Sequence, residues 1–81
     1  MKRVDSIRSE VQRLTRAAPF RRFLLNLENG DRVVIEHPEN IAFDPTGKSE
    51  EFYVISGRMR LFSTFSSVTG VVLADRGGAA A

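Results

Sequence analysis

Two runs of alternating apolar residues flank the tripeptide Glu28-Asn29-Gly30, and this arrangement leaves the chain little choice between residues 22 and 36. Phe23, Leu25 and Leu27 alternate with Leu24 and Asn26, the period-two pattern of a strand with unequal faces. Glu28 and Asn29 suit the centre of a type I turn, and Gly30 suits the left-handed position that follows it, which a residue carrying a Cβ resists. A three-residue loop of this kind sets Leu27 opposite Asp31, Asn26 opposite Arg32, Leu25 opposite Val33, Leu24 opposite Val34, Phe23 opposite Ile35 and Arg22 opposite Glu36. That register gathers Phe23, Leu25, Val33 and Ile35 on one face and pairs opposite charges at the open end. A two-residue Asn29-Gly30 loop would instead set Phe23 against Glu36.

The hairpin's apolar face needs a cover, and the N-terminal segment offers one. Val4, Ile7, Val11 and Leu14 recur at spacings of three, four and three, which places them on one stripe of an α-helix. Pro19 ends the segment, because its ring restricts Ala18 to extended conformations, so the helix is expected over about residues 3–17.

Beyond the hairpin, His37-Pro38-Glu39-Asn40 interrupts the second strand, since Pro38 has no N–H for a ladder, and Ile41-Ala42-Phe43 resumes it. Asp44-Pro45-Thr46-Gly47 reads as a turn. Strands follow at Phe52–Ser56, Arg58–Phe62 and Val68–Leu73, separated by a turn at Gly57 and a polar link over Ser63–Ser67. The expected fold is mainly β with one N-terminal helix: about five short antiparallel strands bent into a small barrel or twisted sheet of Sm-like or SH3-like form. Closure would remove the edges that otherwise invite aggregation.

With 81 residues the chain supports one domain, drawn here as residues 1–76 followed by a small-residue tail at 77–81 that is expected to fray. There is no cysteine, so disulfides, thiolate metal sites and thiol nucleophiles are excluded, and stability has to come from packing or self-association. The charged N-terminus lacks the apolar run of a signal peptide, and no window approaches the ~18 apolar residues of a membrane span, so a soluble cytoplasmic protein with no membrane partner is expected. Net charge is only +2 but unevenly distributed: residues 1–22 hold seven basic and two acidic side chains. Such a segment can attract nucleic acid or an acidic protein surface, or can serve simply as the solvated face of a helix.

The stretch APFRRFLLNLENGDRVVIEHPENIAFDPTGK resembles a family of small uncharacterised bacterial proteins. In these a short helix precedes a PFRPF-type strand, a turn with a DG or NG pair, a hydrophobic strand, an HPE-type bend and a PxGR/K-type turn. The resemblance covers residues 4–48 well and the rest loosely, and Arg22 stands where the family usually has proline. It brings no activity with it. The order of elements is also similar to that of the Sm-like RNA-binding fold, a likeness of topology only. The Lys-His pair that lines the RNA pore in the bacterial RNA-chaperone branch is absent from the corresponding link, Phe62-Ser63-Thr64-Phe65-Ser66-Ser67.

Chemistry-bearing residues are sparse. His37 is the single histidine and has no second imidazole or thiolate to complete a metal set. Glu50 and Glu51, as strand neighbours, point to opposite faces and make no acid–base pair with each other or with Asp44. Ser63, Ser66 and Ser67 fit no Ser-His-Asp arrangement, and Gly77-Gly78 opens no helix to cradle a phosphate. No catalytic residue, metal, cofactor or small-molecule substrate is expected. Aromatic residues carry more information. Phe23 and Phe43 belong to buried strand faces, whereas Phe52 and Tyr53 cannot both point inward, so one of this pair is expected at an interface or on the surface. The first reading is therefore a non-catalytic module that binds a second copy of itself or another protein through Phe52/Tyr53 and the strand edges. The alternative is an RNA-binding protein using Arg8, Arg13, Arg16 and Arg21 of the basic segment, with Arg58 and Arg60 beside exposed aromatics on which bases could stack.

Overall fold

The computed structural model describes residues 3–57 and 59–73 of the chain. Arg58, the tail at 77–81 and the domain limit drawn at residue 76 lie outside the described residues. Helix α1 spans Arg3–Thr15 and buries Val11 and Leu14, with Val4 and Ile7 partly covered, as the stripe requires. It stops two residues before the expected end. The Thr15 hydroxyl donates to the Gln12 carbonyl at 2.9 Å, and the Ala17 N–H takes the Leu14 carbonyl, three residues back rather than four, so the last turn tightens and closes.

Strands β1 (Phe23–Leu27) and β2 (Arg32–Ile35) pair in the expected register, Phe23 with Ile35 through Asn26 with Arg32. The Leu27 N–H donates to the Asp31 carbonyl at 2.9 Å, and Arg22 faces Glu36 at 4.0 Å. Gly30 has φ +95, the left-handed conformation the loop demands. Asn29 locks the turn by accepting the Asp31 N–H at 2.9 Å.

The bend at His37 is built around Asn40. After a single 3-10 turn at Pro38–Asn40, the Asn40 side-chain oxygen accepts the His37 N–H at 2.9 Å, while its amide donates to the Ile55 carbonyl at 3.0 Å. One side chain thus satisfies the backbone group freed by the break and ties the bend to the next strands. Three follow: β3 (Ile41–Phe43), β4 (Glu51–Ser56) and β5 (Met59–Thr64). A second 3-10 turn at Phe65–Ser67 then leads into β6 (Val68–Leu73).

The strands form two three-stranded antiparallel sheets, ordered β2-β1-β6 and β3-β4-β5. The fold is mainly β with one N-terminal helix, as expected, but the five-stranded barrel or twisted sheet is corrected in two respects. The break at Pro38 divides one expected strand into β2 and β3, giving six. Closure fails where the Phe65–Ser67 turn carries the chain from one sheet to the other: among the described residues β5 pairs only with β4, and β6 only with β1. Two backbone bonds hold that seam, from the Glu28 N–H to the Ser67 carbonyl and from the Phe65 N–H to the Glu50 carbonyl, each 2.8 Å.

The link expected to be polar supplies the centre of the core. Ser63 and Thr64 extend β5, and Phe65 is fully buried, its ring 4.9 Å from that of Phe52 and 5.4 Å, edge-on, from that of Phe43. Phe23, Leu25, Ile35 and Val54 complete the interior between the inner faces of the two sheets, and α1 covers β6 and the Phe65–Ser67 turn. The Arg3 guanidinium fastens this cover by donating to the backbone carbonyls of Val68 and Ser66. Where β6 meets β1 a bulge falls between Asn26 and Leu27, and the Thr69 hydroxyl donates to the Asn26 carbonyl at 3.2 Å.

Candidate interaction surface

Among the described residues no charged or polar residue is buried. His37 is exposed on its bend, and among the described residues no group of three or more His, Asp or Glu is placed to hold a metal. Asp44 is occupied within its turn: its carboxylate accepts the Thr46 N–H at 2.9 Å and the Thr46 hydroxyl at 2.6 Å, which hold its pKa below the ordinary value. Ser66 and Ser67 lie with Thr64 in a hydroxyl cluster, 3.0 and 3.2 Å from its oxygen.

The notable feature lies outside, on the second sheet. Phe52 is 1% exposed and belongs to the core, so Tyr53, 37% exposed, is the outward member of that pair. Register then decides what accompanies it. The β4–β5 hairpin pairs Ser56 with Met59, and counting back along the strands sets Ile55 opposite Arg60, Tyr53 opposite Phe62 and Glu51 opposite Thr64. Directly opposed residues project from the same face, so Glu51, Tyr53 and Ile55 share the outer surface with Thr64, Phe62 and Arg60, and Ala42 of β3 joins beside Tyr53. Phe62 is the most exposed large apolar side chain described, at 64%, and Ile55 follows at 46% among the residues of this face. The Tyr53 and Phe62 rings meet edge to face with centroids 6.1 Å apart.

Composition alone groups Phe62 with the core aromatics. The signal that places it outside is the loop length at Gly57: two residues between Ser56 and Met59 fix the pairing that carries Phe62 to the Tyr53 side.

A smaller apolar group occupies the outer face of the first sheet, where Val72, 49% exposed, lies with Leu24 beside a recess of about 290 Å³ that Asn26 and Arg32 complete. The edges of β5 and β6 add to these surfaces, since each has one strand neighbour among the described residues.

The basic side chains are divided among different environments. Arg8, its side chain 15% exposed, pairs with Asp5 at 3.1 Å and rests against the loop at Gly47. Arg13 donates to Glu10 at 3.2 Å, and this bond draws the Glu10 carboxyl below its ordinary pKa. Arg16 and Arg21 are exposed between α1 and β1, whereas Arg60 stands on the outer face of the second sheet. The structure therefore presents them as separate positions on helix, connector and sheet. No protein-family model, curated protein or solved structure matches the chain.

Proposed function

We propose that the protein is a non-catalytic interaction module that self-associates. The observation that carries this reading is the placement of Tyr53 and Ile55 of β4 and Phe62 of the edge strand β5 on the solvent side of one small sheet. A domain of this size leaves much apolar surface exposed, but contiguous large apolar and aromatic side chains on one face, rimmed by charge, mark interfaces rather than random exposure. Burying each of these side chains is worth ~1.5–3 kcal/mol before the cost of association. The open strand edges among the described residues favour the same conclusion. The Sm-like or SH3-like comparison belongs with this proposal, supported by the way one strand run, broken at Pro38, contributes β2 to one sheet and β3 to the other.

Light scattering or equilibrium sedimentation of nuclease-treated protein from roughly 5 to 500 µM tests the reading. The weight-average mass should rise above the 9.1 kDa of one chain. A mass that stays at one chain throughout would remove self-association. Salt-sensitive retention on heparin, with excess absorbance at 260 nm before nuclease treatment, would favour the nucleic-acid alternative instead.

A further inference from the structure

The outer face of β3-β4-β5 carries its charges in a self-complementary order. Glu51 stands at one end of the face, level with Thr64, and Arg60 at the other, level with Ile55, with Tyr53 and Phe62 midway between them. Four residues of strand, ~13 Å, separate the two charged levels, too far for an ion pair within one chain. Among the described residues neither side chain has an ion-pair partner.

We propose that this face packs on the same face of a second copy, with the strands of the two copies inverted about a two-fold axis that passes over Tyr53 and Phe62. The inference rests on the self-association reading and adds the surface, the symmetry and the contacts. Inversion brings the Glu51 end of each copy over the Arg60 end of the other, so the interface holds two equivalent Glu51–Arg60 contacts around an aromatic centre. Stacked sheets lie ~10 Å apart, a gap that these two long side chains can bridge from opposite sides. The uninverted stacking places Glu51 near Glu51 and Arg60 near Arg60, which like-charge repulsion disfavours. A two-fold contact of this type is closed, so it ends at a dimer.

The size of the face sets the strength. Three strands at ~4.8 Å and six residues at ~3.3 Å give a footprint of ~14 by 20 Å, whose burial on both copies falls short of the ~1,200 Å² of a standard stable interface. The dimer is accordingly concentration-dependent, with a Kd of roughly 10–100 µM.

Charge exchange tests the arrangement. Glu51→Arg, Arg60→Glu and the double exchange are compared with wild type by sedimentation over the concentration range above. Thermal unfolding verifies that each remains folded, and Glu51→Gln with Arg60→Gln serve as milder variants if one does not. Each single reversal should weaken dimerisation at least tenfold, and the double exchange should restore it to within about threefold of wild type, because it recreates both contacts with the signs interchanged. Wild-type association that the single reversals leave unchanged would overturn the face-to-face dimer while self-association through the strand edges survives. Weakening without rescue by the double exchange would overturn the inverted arrangement. A wild-type protein that stays monomeric would overturn both this inference and the self-association reading.

Discussion

The Arg8 guanidinium occupies the space that a side chain on Gly47 would need: a Cβ at residue 47 would fall 2.8 Å from Arg8 Nη2. Gly47 also has φ +86, so a larger residue there meets backbone strain as well as a guanidinium that has to shift. Arg8 belongs to α1 and Gly47 to the turn between β3 and β4, so the contact joins the helical cover to the second sheet.

Gly47→Ala should therefore destabilise the fold by ~1–3 kcal/mol from backbone strain, with a further cost for displacing the guanidinium. Chemical denaturation of Gly47→Ala in the wild-type and Arg8→Ala backgrounds separates the two contributions. The cost should be smaller once Arg8 is truncated. Equal costs in both backgrounds would mean that the guanidinium does not press on the turn in solution.

At Gly30 only the backbone constraint applies, because φ is +95 and a Cβ at this position would meet nothing within 4 Å. Gly30→Val should cost ~1–2 kcal/mol, and Gly30→Asn less, since asparagine tolerates positive φ better than a β-branched residue. Equal midpoints of thermal unfolding for the two variants would contradict a left-handed residue at the end of this loop.

These two glycines show which parts of the structure are legible in the sequence. Glu28-Asn29-Gly30 specifies its hairpin locally, through turn chemistry and the alternation on either side, so every pairing from Phe23 to Asn26 follows from the sequence. Pro38 marks its bend for an equally local reason. The helix stripe is legible as well, although the hydrogen bonds at Thr15 and Ala17 that end it early are not. The pairing of β6 with β1 joins residues as far apart in sequence as Phe23 and Leu73. No local pattern encodes it, nor the absence, among the described residues, of pairing between β5 and β6 that leaves the two sheets separate. Phe65 reads as part of a polar link because its neighbours are serine and threonine, and only the approach of Phe52 and Phe43 makes that position interior. For the candidate surface, strand alternation separates Phe52 from Tyr53 but does not say which faces outward. That depends on which side the helix and first sheet cover, a tertiary fact.

The Asp44 turn should respond to acid. Hydrogen bonds from Thr46 hold the Asp44 carboxyl below its ordinary pKa, so the folded state binds this proton less readily than the unfolded state. The stabilisation is present in full above the unfolded value of ~3.9 and is lost as pH falls through the lower folded value. Asp44→Asn keeps an acceptor oxygen but cannot titrate, so its unfolding temperature should fall less steeply than that of wild type between about pH 4 and pH 2. A carboxyl NMR titration of Asp44 with a midpoint at the ordinary value would show that the turn does not engage it.

The basic residues of α1 should divide by environment rather than act as a set. By sequence spacing, Arg8, Arg13 and Arg16 are all solvated positions off the apolar stripe, replaceable at little cost. Arg8 is instead largely covered, paired with Asp5 and seated on the Gly47 turn, whereas Arg16 is exposed beyond the end of the helix. Arg8→Gln should therefore cost ~0.5–1.5 kcal/mol through lost packing and pairing, while Arg16→Gln stays within ~0.5 kcal/mol of wild type. The difference determines how nucleic-acid binding must be tested on this segment. A triple glutamine variant that lost binding would confound charge with a loosened helix, whereas Arg16→Gln changes charge alone. If single-stranded RNA contacts this segment, Arg16→Gln should lower the slope of log affinity against log salt by ~0.7 with an unchanged unfolding temperature. An unchanged slope would remove Arg16 from any phosphate contact. If Arg8→Gln still weakened binding in that case, its effect should follow its loss of stability and should disappear on cooling to a temperature where the variant is fully folded.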